Sequence, residues 1–175
     1  YRRARLFRLK KNGALYKIPG VGLDTGMFRP LSAEARLAGR KRLGIRDEDF
    51  FLVSVGELNE NKNHKVVLEA LAKMRECGRD ISAIRYGICG DGFYRSRMER
   101  WILEMGLKNM VTLYGYCLRV PDILGCADAF IFPSVREGLG MAGLEALAMG
   151  IPVIASDNRG TREYMEHGKN GLVYR

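Results

Sequence analysis

The sequence predicts an α/β fold: a parallel sheet of about six strands with helices on both faces. Three observations lead to it. After residue 46, short apolar runs alternate with longer amphipathic ones. A repeated strand–helix–strand order gives right-handed crossovers and a parallel sheet buried on both sides. Each apolar run is also followed by glycine or small polar residues, as at Gly90-Asp91-Gly92, where backbone can approach a ligand. With 175 residues, 47% of them hydrophobic, the chain suits one domain with a sizeable core, and neither disorder nor a fibrous repeat fits.

Taken in order, a helix near 32–43 precedes the first strand at 50–55, where Phe50-Phe51-Leu52-Val53-Ser54-Val55 is nearly all apolar. Further strands are expected at 84–89, 111–114, 129–132 and 152–155, with 172–174 as a truncated sixth. Helices are expected near 64–77, 93–106, 119–126, 139–149 and 160–166. In the first of these, Val66, Val67, Leu68, Leu71 and Met74 have the spacing of a helix face packed on a sheet. The chain starts without Met and stops on an apolar stretch, so the fold is read as truncated at both ends. Residues 1–13 form a basic leading segment and 14–175 the domain itself.

The net charge of +9 is uneven. Residues 1–46 carry 13 Lys or Arg against Asp24 and Glu34, whereas the rest is slightly acidic. The basic segment, with Leu6, Phe7 and Leu9 interleaved, suits either an anionic membrane face or packing against a missing partner domain. No apolar run approaches the roughly 20 residues of a membrane span, and no signal peptide is legible. Cys77, Cys89, Cys117 and Cys126 lack metal or redox spacing; buried, reduced thiols and a cytoplasmic setting, peripheral to the inner membrane face, are expected. With His64 and His167 the only histidines, no metal site is expected. Nor is a nucleic-acid partner.

The chemistry concentrates in 132–150, where a strand ends, Gly138 and Gly140 open a turn, and a helix of small residues begins. Free amides at that helix start favour a diphosphate. Glu137 and Glu145 are eight positions apart, which on a helix is roughly 10 Å along the axis. One carboxylate would then hold sugar hydroxyls and the other a ribose diol. The alternative makes Glu137 an acid favoured by the helix dipole and Glu145 a solvated face residue.

This segment resembles the Glu, seven residues, Glu motif of glycosyltransferase family 4, in the C-terminal domain of the GT-B fold. Other pieces agree in order. Lys17-Ile18-Pro19-Gly20-Val21-Gly22 and Phe28-Arg29-Pro30 resemble the family's approach to that domain. Val55-Gly56-Glu57-Leu58-Asn59-Glu60-Asn61-Lys62-Asn63-His64 resembles its first phosphate loop. Gly90-Asp91-Gly92, Pro152-Val153-Ile154-Ala155-Ser156-Asp157 and Gly168-Lys169-Asn170-Gly171 complete the set.

The resemblance implies a Rossmann-like, nucleotide-sugar-binding domain of a retaining glycosyltransferase that moves a sugar from a UDP- or GDP-linked donor to an acceptor hydroxyl, in polysaccharide or glycolipid assembly. It implies catalytic roles for Lys62, which neutralises the leaving diphosphate, and for Glu137 beside the sugar. Glu145 would bind ribose, and Gly56, Asn63, Gly90, Gly92, Gly138, Leu139, Gly140 and Met141 would surround the donor. No cofactor or metal is implied. The acceptor would sit mainly on an absent N-terminal domain, leaving the fragment inactive alone. One departure is plain: the family's arginine after the strand glycine is Glu57 here, with Arg136 and Arg95 as candidate replacements.

Two look-alikes carry less. Gly87-Ile88-Cys89-Gly90-Asp91-Gly92 lacks the spacing of a dinucleotide fingerprint and follows the second strand. Asp47-Glu48-Asp49 matches a metal-binding Asp-x-Asp but precedes a strand, at the wrong end of the sheet, and reads as a surface turn. A sugar-nucleotide epimerase or phosphorylase of the same architecture is one alternative function. A non-catalytic nucleotide-binding module, favoured by Glu57, is another.

Overall fold

The structure of the chain, a computed structural model, describes Ala14 and residues 22–175. The basic leading segment 1–13 and its expected membrane contact lie outside the described residues.

Helix α1 (Ala33–Leu43) begins where the Ser32 side chain accepts the amide of Ala35 at 3.2 Å, and ends at Gly44 in the left-handed region. Thereafter strand and helix alternate: β1 (Phe50–Val55), α2 (Lys65–Glu76), β2 (Ile84–Cys89), α3 (Arg95–Glu104), β3 (Val111–Gly115), α4 (Val120–Leu124), β4 (Ala129–Phe132), α5 (Met141–Ala148), β5 (Val153–Ser156) and β6 (Gly171–Tyr174). The six strands are parallel, in the order β3-β2-β1-β4-β5-β6. The winding reverses between β1 and β4, and such a switch point opens a crevice at the carboxyl ends of the strands.

Alternate strand residues feed two cores. Phe51, Val53, Phe130, Phe132, Val153 and Ala155 share one face with Leu124 of α4 and Ala146 of α5. Leu52, Tyr86, Ile88, Val111 and Ile131 share the other with Val67, Leu68 and Leu71 of α2 and Met98 and Ile102 of α3. Helices therefore cover both faces, as expected. Met74, expected on the buried face of α2, is 40% exposed at the helix's far end.

The expected helix near 160–166 shrinks to one 3-10 turn, Thr161–Glu163. Here side chains compete with the helical ladder. The Thr161 hydroxyl donates to the Ser156 carbonyl at 2.8 Å, and Asn158 Oδ1 accepts the amides of Gly160 and Thr161. Pro152 lies just outside β5. Of the cysteines, Cys89 and Cys126 are buried, Cys117 is half-buried and Cys77 is exposed, correcting the expectation of uniform burial; all four are free thiols.

The amino ends of β1 and β4 are tied together by charge. Arg40, 3% exposed, donates to the carbonyls of Cys126, Arg46 and Asp49 and to Asp128 Oδ2. Asp128 in turn accepts the amide of Phe51 at 2.7 Å and the guanidinium of Arg36 at 2.6 Å. Asp47 and Glu48 form the expected exposed turn, but Asp49 is buried and braces the start of β1 through Arg46 and Arg85.

On the other side of the sheet, buried His64 stands 3.4 Å from the Tyr86 hydroxyl, itself 2.8 Å from Ser54 Oγ. Burial, aided by the nearby Lys62 charge, pushes the His64 pKa down to about 4.

Two outcomes are expected. Arg40→Leu takes a buried donor from three carbonyls and from Asp128, which keeps Arg36, and should lower stability by on the order of 3 kcal/mol, whereas Arg36→Leu, at the exposed partner, should cost under about 1 kcal/mol. Urea unfolding of the two variants makes the comparison. For His64, the unfolded chain binds more protons than the folded one between the ordinary pKa of 6.5 and about 4, so stability falls as pH drops through that window. The fully developed effect is on the order of 3 kcal/mol. Thermal melts across that pH range should show it, and His64→Gln should flatten the slope.

Candidate functional site

The loops that leave the carboxyl ends of β1, β2, β3, β4 and β5 gather at one end of the sheet. Parallel pairing dictates this, since every strand points the same way. The loop after β1 turns at Asn59, whose side chain accepts the amide of Lys62 at 2.9 Å and donates to Glu57 at 2.9 Å. The stem of Lys62 folds back over Gly56, where an added Cβ would sit 3.2 Å from two of its carbons. Asn63 then takes φ +50 ahead of α2.

The loop after β4 is fastened to that first loop. The Asn61 carbonyl accepts the amide of Val135 at 2.8 Å, and its side chain donates to the Arg136 carbonyl at 3.0 Å. Between them, Lys62 Nζ meets Glu137 Oε1 at 2.7 Å, with side chains 23% and 13% exposed. The ammonium also stands 5.6 Å from the centre of the Phe132 ring. The two residues expected to act catalytically are thus in direct contact across the switch point.

Beyond Glu137, Gly138 is open to solvent and Leu139 half-buried. Gly140, at φ +85, starts α5 with no capping side chain, and Met141 is its first residue. Because the helix starts only at Met141, the eight-residue spacing from Glu137 to Glu145 is not helical throughout, and the expected 10 Å separation along one axis does not apply. Glu145 instead sits on the second turn of α5 and faces a different part of the site.

That part is a cleft of about 490 Å³ lined by Phe28, Gly56, Glu57, Gly90, Asp91, Tyr116, Leu118, Glu145 and neighbours. Its walls are mostly apolar, and among the described residues its charged groups are three carboxylates and no cation. Burial raises the pKa of Glu145. Gly90 is required because a Cβ there would overlap the Gly56 carbonyl. Gly92 is outside the cleft: its amide binds Asp91 Oδ1 at 2.8 Å and it packs on Leu58.

Of the candidate arginines, Arg95 is engaged with Asp91 and Glu99. Arg136 is exposed beside Glu137 and, among the described residues, its guanidinium has no ion-pair or hydrogen-bond partner. Under the site lies a buried polar network absent from the sequence reading. Asn158 Nδ2 and Ser156 Oγ both donate to the Ser134 carbonyl, anchoring the start of the Glu137 loop. Gly160 backs directly onto it, with Glu137 Cβ 2.8 Å from where its own Cβ would be. Among the described residues no cluster of three or more His, Cys, Asp or Glu could hold a metal, and no helix is long and apolar enough to cross a membrane.

With this geometry in hand, comparison with known proteins is informative. The family profile described as glycosyl transferases group 1 matches residues 36–175. The chain belongs to this family. One relative, the putative glycosyltransferase EpsD of Bacillus subtilis (strain 168), is 37% identical over 164 residues, 94% of this chain and 42% of EpsD. A GDP-mannose-dependent alpha-(1-6)-phosphatidylinositol monomannoside mannosyltransferase of Mycobacterium tuberculosis is 34% identical over 168 residues, covering 90% of this chain and 42% of that enzyme. Among solved structures, Anabaena HepE in complex with UDP and glucose superposes with a TM-score of 0.78 at 25% identity, over 87% of this chain and 41% of HepE. The group 1 chain described here therefore spans less than half the length of these relatives, and the fold is that of GT-B glycosyltransferases.

The ion pair at the switch point has a measurable worth. Lys62→Met and Glu137→Gln, singly and together, should show a coupling of about 1 kcal/mol in a double-mutant cycle by chemical denaturation. A coupling near zero would mean that the loops are held by Asn61 alone.

Proposed function

We propose that this chain is the donor-binding half of a retaining glycosyltransferase, that its donor is a UDP-sugar, and that it acts without a metal. The observation that carries the reading is the division of charge at the switch point. Three carboxylates line the apolar cleft, while Lys62, Arg136 and the free amides at the start of α5 lie on the Glu137 side. A nucleoside suits the first region, with Glu145 accepting from a ribose diol. A diphosphate suits the second. The complexes of HepE with UDP and with UDP-glucose support a uridine donor.

In this reading, the incoming diphosphate competes with Glu137 for the ammonium of Lys62. Lys62 and the amides near Met141 then stabilise charge on the departing diphosphate, with Arg136 in place of the missing arginine. Glu137, released from its partner, accepts hydrogen bonds from the sugar. The acceptor oxygen attacks from the leaving-group face, the anomeric bond to the diphosphate breaks, and the departing phosphate takes the acceptor proton. The rest of the protein supplies the acceptor site.

Calorimetry of this chain with UDP, GDP and uridine, with and without a chelator, tests the reading. UDP should bind, GDP more weakly, and the chelator should change nothing. Glu145→Ala should weaken UDP by roughly tenfold or more, the effect of losing a charged hydrogen-bond partner, whereas Glu137→Ala should spare free UDP. Because the raised pKa of Glu145 delays its ionisation, UDP affinity should fall as pH is lowered through that pKa, and less so in Glu145→Gln. No binding of any nucleoside diphosphate would overturn the proposal.

A further inference from the structure

Tyr164 plays no part in the motifs, yet it meets the most sensitive turn of the site. It follows the 3-10 turn Thr161–Glu163, and its phenol returns across the start of α5. Its hydroxyl donates to the Gly140 carbonyl at 3.1 Å. That carbonyl also accepts the amide of Gly143 at 3.0 Å. Two glycines make room for the ring: a Cβ on Gly143 would overlap the Tyr164 hydroxyl, and one on Gly140 would stand 3.1 Å from it. Phe132 closes the other side of Gly140, its ring 2.6 Å from where that Cβ would be.

Tyr164 is itself anchored. Its amide donates to the Thr161 carbonyl at 3.2 Å and its carbonyl accepts Asn170 Nδ2 at 2.7 Å. Burial, with the nearby charge of Glu137, lifts the phenol pKa to about 12, so the hydroxyl keeps the proton that it donates.

The consequence follows from the planarity of the peptide unit. The Gly140 carbonyl and the Met141 amide belong to one plane and point in opposite directions. Gly140, at φ +85 and without a capping side chain, leaves the tilt of that plane to the two partners of its carbonyl, the Gly143 amide and the Tyr164 hydroxyl. Holding the carbonyl therefore aims the amide. We infer that Tyr164 is a positioning residue for anion binding: its hydroxyl sets the direction of the Met141 N–H, an amide at the start of α5 without a partner among the described residues, toward the donor diphosphate. The assignment rests on the nucleotide reading proposed above for the ligand, but its geometry is independent of the base.

The test compares wild type with Tyr164→Phe, titrating each with UDP, inorganic pyrophosphate and uridine and following the Met141 amide by NMR. The variant should lose roughly fivefold in affinity for UDP and pyrophosphate, as expected for one hydrogen bond, keep its uridine affinity, and shift the Met141 amide resonance. Gly143→Ala, which displaces the phenol, should give the same signature, weakened when combined with Tyr164→Phe. Equal affinities in variant and wild type would overturn the inference, as would parallel losses for all three ligands, the mark of a merely structural role. Wild type that binds pyrophosphate but not UDP would sink the nucleotide reading, while the pyrophosphate ratio still decides the role of Tyr164. Wild type that binds neither would overturn both.

Discussion

The contact between Lys62 and Glu137 is the hinge of this structure. It joins the loops that leave β1 and β4, the two strands between which the winding of the sheet reverses. The same strands are joined at their other ends by Arg40 and Asp128. The two fastenings differ in kind. Arg40 is buried and spends its donors on three backbone carbonyls and on Asp128, so the lower joint cannot open without leaving a buried charge unsolvated. Lys62 and Glu137 keep some contact with water, where an ion pair is worth little and can be exchanged for another. A firm base under an exchangeable pair suits a site that must accept and release an anion.

The start of α5 shows how much surrounding structure one short turn requires. Gly140 has no cap of its own, and the turn is instead held from three sides: by Phe132 on β4, by Tyr164, and by the Ser134–Ser156–Asn158–Thr161 network beneath the Glu137 loop. The side chains of Ser156, Asn158 and Thr161 each bond to backbone groups in a buried setting, where an unmet hydrogen bond is costly. The region after β5 therefore trades helical structure for support of its neighbour.

The strands were legible in the sequence because both faces of the sheet are covered, so each is a nearly continuous apolar run bounded by turn residues. The strand ends located the loops, and the resemblance to the family's motifs picked out Gly56, Gly90, Lys62, Glu137 and Glu145 in and beside them. The helix near 160–166 was misread because Asn158 and Thr161 satisfy backbone groups locally, a competition that hydropathy does not register. The pairing of Lys62 with Glu137 was not legible, since 75 positions separate them and only the β1–β4 adjacency brings them together. Nor was Tyr164, an aromatic residue in no motif, whose signal was indirect: glycines at 140 and 143 that make room for a ring. The spacing of Glu137 and Glu145 was read as helical, but the helix begins between them.

The substitution of Glu57 for the family arginine gains a meaning from the lining of the cleft. Glu57, Asp91 and Glu145 give that space a negative character that Arg95 offsets only at Asp91, while Lys62 and Arg136 lie on the Glu137 side, ahead of α5. A molecule that carries its charge at one end meets unequal fields at the two ends of the site. Entering backwards, phosphate first into the cleft, it would set like charge against like. The site thus has a polarity, as a keyed socket does, and sorts the orientation of an elongated anion before any hydrogen bond is made.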